Sequence, residues 1–159
     1  YKAITLHGVG DDYPIYEDLK KHVYDKGLSA GAGDQHGTVL YNRGLVAGML
    51  AHQAVLKAQE MHGVADITPA MMRDGMENLE MTEAALAEMG VPGFMPTFTV
   101  SCANHGPPGL GAIQQWNAEK GEWSLITDFI ASDRSIVDPL IAEDSAAYAA
   151  EAGITPRDC

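Results

Sequence analysis

The spacing of apolar residues changes character along this chain. "YKAITLHGV" (1–9) carries Ile4, Leu6 and Val9 in near alternation, which predicts a strand, and "GDDYP" after it predicts a turn. "PIYEDLKKHVYDKG" places Ile15, Leu19 and Val23 four apart between Pro14 and Gly27, the pattern of an amphipathic helix. After the loop "LSAGAGDQHG" comes the longest periodic run, "TVLYNRGLVAGMLAHQAVLKAQEMHG", with Thr38 as the expected cap and Gly63 as the stop. Gly44 and Gly48 share one face of that helix. Each costs a helix interior about 1 kcal/mol relative to alanine, so close packing against a sheet or another helix is expected there.

"ITPAMMRDGMENLE" begins a further helix with Thr68 as cap and Pro69 in its first turn, and Met72, Met76 and Leu79 are expected to face inward. "MTEAALAEMG" predicts a short helix from Thr82 to Gly90. Beyond "VPGFMP" the helical period is lost. "TFTVSC", "AIQQWN" and "EWSLI" predict three strands, the last two joined by the hairpin-length "AEKG". "SIVDPLIAEDSAAYAAEAG" predicts one or two closing helices ended at Gly153. The order is α/β, with too few strands for its helices, so part of the sheet is expected to lie outside this chain.

A length of 159 residues suits one domain, and 46% hydrophobic with 20% charged residues is ordinary for a globular protein. No apolar run approaches the roughly 20 residues that cross a bilayer. The formal net charge of −12, with scattered basic residues, argues against a nucleic-acid partner. The opening "YKAITLHGVG" has no initiator methionine, basic n-region or cleavage site, so a processed product, an excised domain or a fragment is expected.

Candidate chemistry centres on "SCANHGPPGLGA". Cys102 stands three residues before His105, and Cys159 closes the chain. Three readings compete. A Cys102–His105 nucleophile and base lacks a helix N-terminus or cationic surroundings to activate the thiol. A zinc set of both cysteines, His105 and a further histidine lacks the short paired spacings of structural sites, so no metal is expected. A Cys102–Cys159 disulfide would tie down the tail. It would close a loop of about 58 residues, worth about 4 kcal/mol in the chain-entropy model, and would require an oxidising compartment. The disulfide is the favoured reading. "GVGDD" and "GPPGLGA" lack the endings of phosphate-binding loops, and Pro107 and Pro108 are expected to stiffen the second. No cofactor is expected.

"YNRGLVAGMLAHQAVLKA" followed by "ITPAMMRDGMENL" resembles the branched-chain amino acid type of solute-binding protein of ABC transporters, the type I periplasmic binding proteins. In that family a tyrosine-led helix rich in small residues precedes a helix of the form T-x-x-x-(I/V/M)-R-x-(A/G)-(L/M)-E-x-L. "QQWNAEKGEWSLITDFI" is similar to its closing hairpin, and "YAAEAGITPRDC" to the tail of a subgroup that pairs this cysteine with an "S-C" strand. The similarity runs from Tyr1 to Cys159.

The resemblance implies the C-terminal part of a two-lobe, Venus-flytrap α/β fold at least twice this length. Residues 1–9 would be a crossover strand, 14–102 the helices and strand of one Rossmann-like lobe, and 112–159 the closing hairpin and helices. It implies a non-enzymatic, periplasmic or extracellular protein that closes on an amino acid or similar small solute and delivers it to a membrane permease. A ligand sensor of the same fold is the alternative, and a Cys/His enzyme a distant third. Tyr41, Asn42, His7, Asn104 and His105 would border the ligand. The uncovered helices would be met by the missing N-terminal part of the protein or by a second copy.

Overall fold

The computed structural model describes residues 1–31, 33–106 and 109–159; Pro107 and Pro108, expected to stiffen their loop, lie outside them. The chain is mixed α/β. β1 (Lys2–Thr5) is shorter than the predicted strand, because at Thr5 the side-chain hydroxyl donates to the His7 carbonyl at 2.8 Å and the chain leaves the ladder. β1 pairs antiparallel with β4 (Leu110–Asn117), whose other neighbours are β5 (Glu122–Leu125) and β6 (Ile130–Ala131). The expected hairpin is present: Asn117 Oδ1 accepts from the amides of Glu119 and Lys120, and Gly121, at φ +69°, makes the left-handed turn.

Helix punctuation follows the sequence closely. α1 (Pro14–Leu19) starts on Pro14 but continues as a π-helical turn, Lys20–Tyr24, instead of one α-helix to Gly27. α2 (Val39–His62) is capped by Thr38, whose side chain accepts from the Tyr41 amide, and ends at Gly63 in the left-handed region. Thr68 caps α3 (Pro69–Glu77) and Thr82 caps α4 (Glu83–Glu88) in the same manner. The predicted "TFTVSC" strand contracts to β3 (Phe98–Thr99), which pairs with β2 (Glu80–Met81), a strand the hydrophobic pattern does not announce. One closing helix forms, α5 (Arg134–Ala152), with Pro139 inside it.

Two packing expectations are corrected. α3 crosses α2 at Gly75, where an added Cβ would lie 2.2 Å from the Ala54 carbonyl oxygen and 2.9 Å from the Ala58 Cβ. Because Gly75 faces α2, Met76, one step round the helix, is turned outward and is 54% exposed. At Gly44 and Gly48, by contrast, an added Cβ would meet nothing within 4 Å. The close approach therefore occurs at a glycine the periodicity does not single out.

The core gathers Met49, Met81, Leu86, Val91, Phe94 and Met95, with Tyr13, Leu45, Val46 and Leu50 packed against it. Three of its six members are methionines, whose unbranched side chains fill irregular gaps. This core seats the loop that follows β1 against the N-terminal half of α2.

Candidate functional site

That seating depends on Asn42, which is fully buried. Its Nδ2 donates to the carbonyls of Gly8 (3.2 Å) and Gly10 (3.1 Å), and its Oδ1 accepts from the Tyr16 hydroxyl. Burial pushes Tyr16 up to about 12, although a hydrogen bond from the Gly37 backbone pulls the other way. The phenol thus stays a donor, which fixes the amide orientation of Asn42 and hence the 8–10 loop. Every polar group of Asn42 is engaged within the protein, and its role in this geometry is to clamp.

The clamp positions His7. His7 is 4% exposed and stacks on Phe94 with ring centroids 5.7 Å apart. Its Nδ1 lies 2.8 Å from the Gly8 carbonyl, so Nδ1 carries the proton and donates, and Nε2 is left as the acceptor of the neutral ring. His7 and Thr5 line a cavity of about 310 Å³ whose apolar walls include Val46, Leu50, Met95 and Phe98. Arg43 lines it too. Arg43, Val46 and Leu50 fall at i, i+3 and i+7, one face of α2. Among the described residues no carboxylate pairs with Arg43. A guanidinium at the edge of an apolar chamber suits a small carboxylate with an apolar body.

Tyr41 points elsewhere. Its hydroxyl lies 2.9 Å from that of Tyr24, and burial, then the contact with Tyr24, raises it above the ordinary tyrosine range. Tyr16, Tyr24 and Tyr41 surround His36, with centroids 4.7 to 5.1 Å from its ring. The His36 Nε2 is buried without a hydrogen-bond partner. His36 also lines a wider cleft of about 640 Å³ between Asp11 and Asp12 on one side and Trp116 and Trp123 on the other.

Asn104 and His105 form a separate cluster. The disulfide between Cys102 and Cys159 is present, with Cα atoms 5.6 Å apart. Asn104 Oδ1 accepts from the Gly106 amide, a local turn, and His105 Nε2 is 3.6 Å from a Glu77 carboxylate oxygen. Arg157 donates to Glu77 at 2.6 Å and reaches the Cys102 sulfur. The Arg157 hydrogen bond, followed by nearby positive charge, holds Glu77 below the ordinary carboxylate range. The disulfide removes Cys102 as a nucleophile and closes both sulfurs to zinc. The five predicted ligand-bordering residues thus divide: His7 and Asn42 meet at the Gly8 carbonyl, Tyr41 joins the tyrosine cluster, and Asn104 and His105 stand with the tail.

No family model and no curated protein matches the chain. Among solved structures, the chain is similar to a crystal structure described as that of an ABC transporter permease from the Pseudomonas fluorescens group. The identity is 36% and the TM-score 0.90, covering 100% of this chain and 38% of that one. The chain therefore spans well under half the length of its structural neighbour. This finding corrects the family expectation: the neighbour is described as a permease, not as a periplasmic solute-binding protein. The amino acid-capturing and ligand-sensing readings that rested on that resemblance fall with it. Among the described residues no helix is long and apolar enough to cross a membrane.

Several residues of the site escaped sequence reading. Arg43 sits beside Tyr41 and Asn42 in "YNR", and its spacing to Val46 and Leu50 is the one signal available. Thr5 and His36 are short polar residues in a strand end and a loop, with no periodicity to mark them. Glu77 and Arg157 lie 80 residues apart, and nothing local to either announces the other.

Proposed function

We propose that this chain is part of an ABC transporter component and that it contributes a recognition pocket for a small carboxylate, not a catalytic centre. The observation that carries the first part is the agreement with the permease structure over the whole chain, at 36% identity and TM-score 0.90. The pocket part is supported by the Thr5–His7–Arg43 cavity, an apolar chamber lined by no acidic side chain and edged by a guanidinium that pairs with no carboxylate among the described residues. His7 would not pair with the carboxylate itself: its Nδ1 proton is committed to Gly8, so the neutral ring offers Nε2 only as an acceptor, for a donor carried elsewhere on the ligand. The membrane-embedded part of the transporter is the partner this reading implies. An extracytoplasmic position, on the oxidising side of the membrane, is supported by the Cys102–Cys159 bond.

The test is a thermal-shift and calorimetric titration with small apolar carboxylates (hexanoate, phenylacetate, benzoate) beside their uncharged amides. Binding of at least one acid, weakened about tenfold or more by Arg43→Ala, is expected from loss of a charge-assisted hydrogen bond. Acids and amides that bind alike, or an Arg43→Ala variant that binds as tightly as the parent, would remove the pocket from the proposal.

A further inference from the structure

The groove between α1 and α2 is lined by Ile15, Leu19, Leu45, Met49 and Met89, holds about 550 Å³, and has Gly44 and Gly48 on its wall. Among the described residues Tyr41 and His52 are the only polar side chains on it, and neither is a carboxylate or an amine. Within this chain the two glycines do nothing an alanine would not do better. They weaken the interior of a 24-residue helix, and the space above each is open. Gly75 provides the internal contrast, since its missing side chain is what admits the backbone of α2. Leu40, one turn before Gly44, is 75% exposed and extends the same uncovered face.

We propose that this groove is the docking surface for an apolar segment of a longer polypeptide containing this chain, packed with its backbone close against Gly44 and Gly48. Three observations select that occupant. The permease structure reproduces all of this chain within a polypeptide of which the match is only 38%, so the same groove there has more than half a chain available to cover it. The absence of charged side chains from the lining suits an apolar segment and leaves a charged peptide without partners. A second copy of this chain brings another formal charge of −12 against the first, which opposes self-association. The inference is independent of whether the His7–Arg43 cavity takes a carboxylate.

The two settings give opposite signs for filling the space above these glycines. In the 159-residue chain, Gly44→Ala and Gly48→Ala are expected to raise the melting temperature by a few degrees, because alanine favours the helix and its Cβ meets open space. In the full natural polypeptide, Gly48→Leu is expected to lower it by several degrees. Hydrogen exchange of residues 40–52 is a second measurement that survives a variant failing to fold. It is expected to be tenfold or more slower in the full polypeptide than in the 159-residue chain. Equal exchange in the two, or a stabilising Gly48→Leu in both, overturns the proposal. So does a 159-residue chain that sediments as a dimer dispersed by Gly48→Leu, or a natural polypeptide with nothing beyond this chain.

Discussion

Phe94 and five side chains around it are closed from water, whereas α5, a helix of 19 residues, buries none. The first region is held by non-directional burial spread over β2, α2, α4 and the 91–95 loop. The second is held at its two ends. Before it, β6 pairs with β4; after it, Cys159 is bonded to Cys102 and Arg157 to Glu77. Ile136, Leu140, Ile141 and Tyr148 are meanwhile left facing solvent. Helix formation and helix docking are thus separate matters here. Capping and propensity suffice to write α5 into the sequence, but its place depends on a covalent tether and an ion pair.

This contrast can be broken from either side. The largest effect is expected from Phe94→Ala, which empties the centre of the core and should cost about 3–5 kcal/mol in denaturant unfolding. A loss below about 1 kcal/mol would mean that the cluster is not what holds the body. Next comes Cys159→Ser, expected to cost about 2–4 kcal/mol. Its signature is spatial: hydrogen exchange should quicken in α5 and the tail while the Phe94 region keeps its protection. Uniform quickening would show that the two regions unfold as one.

The smallest effect belongs to Glu77. Its pKa is lowered in the folded state, so its contribution is present above the ordinary glutamate range and is lost as pH falls through the folded value. The melting-temperature difference between the parent and Glu77→Gln should therefore be slight at neutral pH and vanish in acid. A difference that stays constant across that range would assign it to packing instead of to the Arg157 pair.

The comparison also separates what could be read in advance from what could not. The caps at Thr38 and Thr68 and the stops at Gly63 and Gly153 were legible because each acts within one turn of its own helix. The closing hairpin was legible for the same reason. β2 was not, since two residues form a strand only because β3 arrives beside them. In the site, His7 and Asn42 were picked out, yet the partners that define them, Tyr16 and the Gly8 and Gly10 carbonyls, lie 26 to 34 residues from Asn42.

By itself, then, the sequence determined where helices form, most of their caps and stops, and the hairpin, and it favoured the pairing of its only two cysteines, because those depend on local bonding or on simple count. Tertiary structure decided which glycine is a contact and which is open space, and it chose Asn42 as a clamp. It also brought Arg43 to the same cavity as His7. Such outcomes depend on which faces of distant elements meet, and a linear pattern carries the shape of each face without the identity of its neighbour.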